Sequence, residues 1–417
     1  MSPAAAPLRP PKPKLGELVR AGLPSLWKAS WASDQERSVL SRLARCGTTS
    51  MGQMQLCCTA CGASEWRPLG CQDRHCPSCG VRRTEDWAQA RTSELLAVPY
   101  FHFVFTVPGE LYPLFRANPQ ELYGLFFSSM AQTLTAFAAK RRFLGGTPAF
   151  FAVLHTTNRR LGYHPHLHVV IAGAAYDTKA DQLRVVRKDD FLFPVRDLAA
   201  FFRARFLAGL AGCFDKGVLE LVAPALHRWT DVTYRQRVLA ELACVNWQLR
   251  TEAIDGEPER VIRYLSRYIF RTAISNARLL SFDGSSVTYG WVDRRSGERR
   301  TAALPLMEFL RRFAAHILPK GFQRVRFYGL LAPSNRRTAL VLAQRAAIRR
   351  ANLRGFALSV ACTLRPEQVR PLCCVACGAE ALAVTTIIRG SYAVHLAPRP
   401  HGIPPPQHRR PTRRGAA

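Results

Sequence analysis

An α+β fold is expected for this chain of 417 residues, and three observations predict it. Short apolar, aromatic-rich stretches read as strands: "YFHFVFTVP" from Tyr100, "PAFFAVLHTT" over 148–157 and "HPHLHVVI" over 164–171. Helical stretches are set among them, at about Pro119–Arg141, Val195–Ala211 and over 258–274. "SFDGSSVTYGWVDRRSGERRTAAL" (281–304) carries Asp-Gly and Ser-Gly turn signals between alternating residues and reads as hairpins. Helices and strands therefore mix in an α+β manner.

Along the chain, Met1–Gly16 is rich in Pro and Lys and has no apolar core of a secretory signal. A basic, Pro-rich arm is expected over 1–34, followed by a helix around Gln35–Arg45. Residues 46–80 hold seven cysteines and few apolar runs, a module too small to build a core unaided. "PERVIRYLSRYIFRTAI" (258–274) is amphipathic and begins with Pro258, where a helix can start. "MEFLRRFAAHIL" is helical again. The end, 396–417, is Pro- and Arg-rich and expected to be disordered. No internal repeat is read. No run of about 18 uncharged apolar residues is present, so no membrane span is expected.

Charge is the strongest bulk signal. Fifty-nine Lys and Arg face 29 Asp and Glu, a net charge of +30. A field of that sign draws polyanions, and nucleic acid is the commonest of them. A cytoplasmic, nucleoid-associated location follows from that charge and the missing signal. The 13 cysteines cluster in or beside CxxC pairs, which favours metal over disulfides.

Cys58-x2-Cys61 and Cys76-x2-Cys79 supply four thiolates for one tetrahedral zinc, with Gly62 and Gly80 placed for knuckle turns. Four thiolates leave no open coordination position, so this zinc is structural. Cys57, Cys71 and His75 lie near enough to replace one ligand, and Arg74 in "QDRHCPSCG" is a candidate DNA contact. A further pair, Cys374 and Cys377, has no obvious partner pair. Its nearest neighbours are Cys362 and Cys373.

"HPHLHVVI" holds three of the 11 histidines. On a strand, His164, His166 and His168 share one face, while Leu167, Val169 and Ile171 face the core. Histidines packed for structure rarely alternate so cleanly, and a metal site is expected here. If the substrate is a phosphodiester, Mg²⁺ or Mn²⁺ is the expected ion. Tyr264 and Tyr268 are four apart on one helical face, at the seam between apolar residues and Arg260, Arg263, Arg267 and Arg271. A nucleophile attacking an arginine-held phosphate belongs at such a seam.

A His–hydrophobe–His strand followed by a Tyr-x3-Tyr helix resembles the HUH nuclease superfamily. The leader "CTACG…CQDRHCPSCG" is similar to the zinc-binding domain of its rolling-circle insertion-sequence transposases, the branch that includes common-region elements. "HFVFTVP", "VLHTTNRRLGYHPHLHVVIAGA", "VIRYLSRYIFRTAISNARL" and "HILPKGFQRVRFYGLLA" extend the likeness over about 35–345. The resemblance implies a nuclease core with a central antiparallel sheet flanked by helices. It also implies divisions at 1–34 (arm), 35–95 (zinc-binding domain), 96–285 (catalytic domain) and 286–345 (C-terminal part of the transposase domain). A Cys-containing segment over 346–395 and the tail over 396–417 complete the chain.

The mechanism it implies has His166 and His168 holding a divalent ion against the scissile phosphate. Tyr264 attacks, leaving a 5′-phosphotyrosine link to single-stranded DNA and a free 3′-OH. Tyr268 is the second nucleophile, or a helper, in strand transfer. Element ends and target would be the single-stranded partners, with host replication or helicase proteins supplying unwinding, since no Gly-x4-Gly-Lys-Ser/Thr loop is present. This chain departs from the family's "HTWGQ" with "HTTNR" (155–159), which removes a glutamine ligand; His164 or His155 could replace it. Two other readings stand beside this one. They are a plasmid replication initiator or relaxase, and a non-catalytic zinc-dependent DNA-binding protein.

Overall fold

The structure is a computed structural model that describes residues 12–80, 94–186, 191–254, 272–293, 296–352, 373–379, 382–390 and 392–395. Residues 258–271 of the tyrosine helix expected over 258–274, and the tail over 396–417, lie outside the described residues. In chain order the first elements are α1 (Leu15–Lys28), α2 (Asp34–Ala44), β1 (Gln53–Cys58), β2 (Ser64–Pro68) and β3 (Tyr100–Thr106). Next come α3 (Tyr112–Ala117), α4 (Pro119–Ala139), β4 (Thr147–Thr157), β5 (Tyr163–Asp177), β6 (Gln182–Val185) and α5 (Val195–Asp215). They are followed by α6 (Val232–Cys244), β7 (Leu249–Ile254), β8 (Leu279–Phe282), β9 (Ser286–Val292) and β10 (Arg299–Pro305). The last are α7 (Leu306–Ala314), β11 (Val325–Gly329), α8 (Ala339–Asn352), β12 (Leu382–Arg389) and β13 (Tyr392–His395). Helices and antiparallel sheets make this an α+β protein. Among the described residues no helix is long and apolar enough to cross a membrane.

Contacts divide the chain into two units, Met1–Ala44 with Gln72–Arg365, and Arg45–Cys71 with Pro366–Ala417. The first is built on an antiparallel sheet of order β11-β4-β5-β3-β7, with β6 pairing the far end of β5. Strand parity sorts its side chains. Phe101, Phe103, Phe105, Phe150, Leu154, Leu167, Val169 and Ile171 are fully buried in one core with α4 and α5. There Phe105 meets Phe202 edge-on, with ring centroids 5.1 Å apart, and Phe115 stacks on Phe206. Residues of the other parity, Tyr100, Phe151, Val153, Val170, Ala172 and Ala174, are buried with Leu340, Ala343, Ala346 and Ala347 of α8. Histidines replace apolar residues on that second face at one end of the sheet only.

The arm expected over 1–34 is corrected from Leu15 onward. Leu15, Leu18, Val19, Gly22 and Leu26 recur at helical spacing and are buried, so α1 forms despite Pro24. A Cβ on Gly22 would meet the Leu310 side chain of α7 at 2.4 Å. The hairpins expected over 281–304 form the three-stranded sheet β10-β9-β8. Asp283 opens the first turn by accepting from the Ser285 and Ser286 amides, and these hydrogen bonds hold its carboxyl below the usual range.

The second unit is a four-stranded antiparallel sheet of order β13-β12-β1-β2. Its central pair joins residues far apart in sequence, Gln53 opposite Ile388 through Cys58 opposite Leu382. Gly52 immediately precedes β1 at φ +92°, and a Cβ there would run into the Ile388 carbonyl oxygen. Gly52→Ala is therefore expected to destabilise this unit by at least about 1–3 kcal/mol, the cost of one strained backbone conformation alone. The measurement is the urea midpoint of the zinc-loaded protein. An unchanged midpoint would show that β1 and β12 do not approach this closely.

Candidate metal centre

The strand periodicity that buries Leu167 turns His166 and His168 to the opposite face of β5, beside β3 and β4. Register supplies the third imidazole: His155 of β4 lies directly across from His166. One ring nitrogen from each of His155, His166 and His168 lies within 4.8 Å of the other two. Ring centroids are 4.5 Å apart for His155 and His168 and 4.9 Å for His166 and His168. His155 is buried and the other two are half-buried.

The hydrogen bonds around the rings fix how they face. His166 Nδ1 lies 2.7 Å from the His164 carbonyl oxygen, which makes it the donor there and leaves Nε2 as the lone-pair nitrogen. His168 Nδ1 lies 2.8 Å from His102 Nε2, and His102 Nδ1 lies 2.9 Å from Glu252 Oε1. With both imidazoles neutral, one proton assignment satisfies this chain. Glu252 accepts from His102 Nδ1–H, so the neutral His102 Nε2 accepts from His168 Nδ1–H. His168 Nε2 is then the nitrogen that can ligate an ion. The partners come from three neighbouring strands, since His102 on β3 pairs with Glu252 on β7. Neither His102 nor Glu252 was expected from the sequence, because only the register of β3 and β7 brings them to His168.

Three imidazoles fit a divalent transition ion. Mg²⁺ prefers oxygen ligands, and the group offers none, so Mn²⁺ is the better fit of the two expected ions. Glu252→Ala is expected to lower Mn²⁺ affinity roughly 10–100-fold, the usual cost of losing an outer-shell partner. Glu252→Gln keeps an acceptor and should retain most of the affinity. Electron paramagnetic resonance titration of Mn²⁺ reads both variants, and equal affinities for wild type and Glu252→Ala would rule out the relay.

His164, expected as a candidate ligand, is not in this group. Its Nδ1 is hydrogen-bonded to the Tyr112 hydroxyl, and burial lowers its pKa. The adjacent residues form a closed aromatic set: the Tyr123 and Tyr163 hydroxyls are 2.6 Å apart, and Tyr163 stacks on His316. Burial pushes the His316 pKa down to about 4. Arg74, expected as a DNA contact, directs its guanidinium to the carbonyl oxygens of Leu318, Pro319 and Phe322 at 3.3, 2.7 and 2.5 Å. That leaves it holding a loop of its own unit. Tyr264, Tyr268, Arg260, Arg263, Arg267 and Arg271 lie outside the described residues.

The expected zinc quartet is also regrouped. Cys58 and Cys61 meet Cys374 and Cys377, with all four sulfurs within 4.8 Å of one another. Cys76 and Cys79 belong to the first unit, where Cys76 is buried. The physical reason is the β1–β12 pairing, which brings the C-terminal pair to the end of β1 and fills the positions that a local pairing would have used.

Comparison with known proteins gives the family of the chain. Residues 18–107 match the family described as Transposase zinc-binding domain, of the IS91 type, and residues 149–339 match the family described as Putative transposase. The chain is 37% identical over 319 residues to the Putative transposase y4qJ of Sinorhizobium fredii (strain NBRC 101917 / NGR234), covering 76% of this chain and 78% of that protein. It is 28% identical over 307 residues to the Transposase for insertion sequence element IS801 of Pseudomonas savastanoi pv. phaseolicola, covering 72% of this chain and 71% of that protein. No solved structure matches the chain.

Proposed function

We propose, for a chain that belongs to the IS91-type family of insertion-sequence transposases, that it cuts and rejoins single-stranded DNA through a 5′-phosphotyrosine intermediate. The observation that carries this reading is the group of His155, His166 and His168 at one end of the central sheet. His155, His166 and His168 would hold a divalent ion there, which would supply positive charge to a scissile phosphate. The protein's own part is to orient the ligand imidazoles, through the His164 carbonyl for His166 and through His102 and Glu252 for His168.

The chemistry assigned to the sequence is a transesterification. The Tyr264 phenol oxygen bonds to phosphorus as it gives up its proton. The bond from phosphorus to the 3′-oxygen breaks, and that oxygen leaves as a 3′-hydroxyl after taking a proton. One phosphodiester is exchanged for another, so no ATP is consumed. In the reverse sense a 3′-hydroxyl attacks the phosphotyrosine, frees the phenol and joins the strand to new DNA; Tyr268, as the second nucleophile, takes a second phosphate in the same way and releases such a 3′-hydroxyl. Arg260, Arg263, Arg267 and Arg271 neutralise the backbone beside it. Repeated at element ends and target, these steps move an insertion sequence by rolling-circle transposition, with unwinding supplied by host replication proteins.

The experiment is incubation with labelled single-stranded DNA carrying the element's ends, in Mn²⁺. An SDS-resistant protein–DNA adduct is the expected result, and its absence would favour a zinc-dependent DNA-binding protein.

A further inference from the structure

We infer that Cys58, Cys61, Cys374 and Cys377 hold one zinc ion, which fastens the C-terminal segment of the chain to the cysteine module near its beginning. This goes beyond the DNA chemistry and does not depend on it. The first observation is in the sequence. Leu56–Ala63 reads LCCTACGA and Leu372–Ala379 reads LCCVACGA, an eight-residue repeat that differs only at Thr59 and Val375. The expectation of no internal repeat is corrected by it.

The second observation is that the two copies fold alike. In each, the first cysteine of the CxxC donates its amide to the alanine two residues past the pair, Cys58 to Ala63 and Cys374 to Ala379, both at 2.8 Å. In each, the following glycine donates back to that cysteine's carbonyl, Gly62 to Cys58 and Gly378 to Cys374, both at 2.9 Å. Both glycines are left-handed, at φ +75° and +73°, a conformation that a side chain would strain. Each copy is thus a knuckle with two thiols pointing from one turn, half of a tetrahedral site.

The third observation is how the halves face each other. Cys58 lies against Cys377, with sulfurs 3.7 Å apart, and Cys61 against Cys374, with sulfurs 3.6 Å apart. Each knuckle's first cysteine therefore meets the other's second, the reciprocal pattern of a local two-fold. Sulfurs about 3.7 Å apart suit a tetrahedral ion with Zn–S bonds of about 2.3 Å, whereas a disulfide needs about 2.05 Å. The antiparallel pairing of β1 with β12 fixes the approach independently of the thiols. Four thiolates close the coordination sphere, so the ion is structural.

The test is the zinc content of the purified full chain by mass spectrometry. Cys58→Ser/Cys61→Ser and Cys374→Ser/Cys377→Ser should each lose one zinc relative to wild type. The quadruple variant should lose no more than either double. Loss of two zinc ions by the quadruple variant, or no loss by Cys374→Ser/Cys377→Ser, would overturn the assignment. A measurement on wild type covers the case in which the variants fail to fold. With metal bound, N-ethylmaleimide should spare all four thiols, and a chelator should expose the four together. Alkylation of Cys374 and Cys377 while Cys58 and Cys61 stay protected would equally sink it.

Discussion

His155→Ala is expected to lower Mn²⁺ affinity by about 100-fold or more and to remove covalent attachment to single-stranded DNA. Losing an outer-shell partner of a metal ligand costs 10–100-fold, and losing one of three imidazoles exceeds that. The two remaining ligands sit on one strand and approach an ion from one side, whereas His155 comes from the neighbouring strand across the pair. His164→Ala is the contrasting variant. Its imidazole is bound to Tyr112 and lies outside the group, so Mn²⁺ affinity should be little changed. Mn²⁺ titration alongside the adduct assay separates the two. Retained affinity in His155→Ala together with lost affinity in His164→Ala would reverse the assignment of the third ligand.

Tyr264→Phe is expected to reduce the protein–DNA adduct to background. The substitution removes one oxygen and keeps the ring, so the change in adduct reads the hydroxyl alone. Tyr268→Phe should leave the first cleavage and lose the second, read as an adduct that persists until a 3′-hydroxyl acceptor is added and then resolves. A phenol's ordinary pKa is about 10, so at neutral pH either tyrosine needs a polarised phosphate to react. Omitting Mn²⁺ should therefore mimic Tyr264→Phe. An adduct that survives in Tyr264→Phe and vanishes in Tyr268→Phe would exchange the two roles.

Much of this was legible from local pattern. Strand alternation in "HPHLHVVI" placed Leu167 in the core and His166 and His168 together on the other face, because period two is a property of a single strand. The Asp-Gly turn of the hairpins and the long apolar helices followed from equally local signals. Cross-strand partners do not announce themselves that way. His155 was named only as one of two substitutes, and the choice between them is made by the register of β4 on β5. His102 sits in an aromatic strand with nothing in its neighbours to mark it, and Glu252 comes 150 residues later. The cysteines mislead for a related reason: Cys76 and Cys79 are the nearest pair to Cys58 and Cys61 in sequence, while β1 is paired with a strand from the far end of the chain. The Pro-rich flank hid α1, whose apolar spacing from Leu15 to Leu26 is regular once the first residues are set aside.

The pairing of β1 with β12 also sets a clock. Cys377 follows Cys58 by 319 residues, and at roughly 5–20 residues per second of synthesis that interval is about 15 to 65 s. Throughout it β1 has β2 on one side and a bare edge on the other, with two thiols waiting at its end. Edges of that kind recruit whatever strand arrives first. A nascent chain cut short anywhere before Leu372 keeps the open edge and one knuckle of a half-built site for its lifetime, so messages that end early are expected to yield a chain prone to wrong partners rather than a smaller working protein.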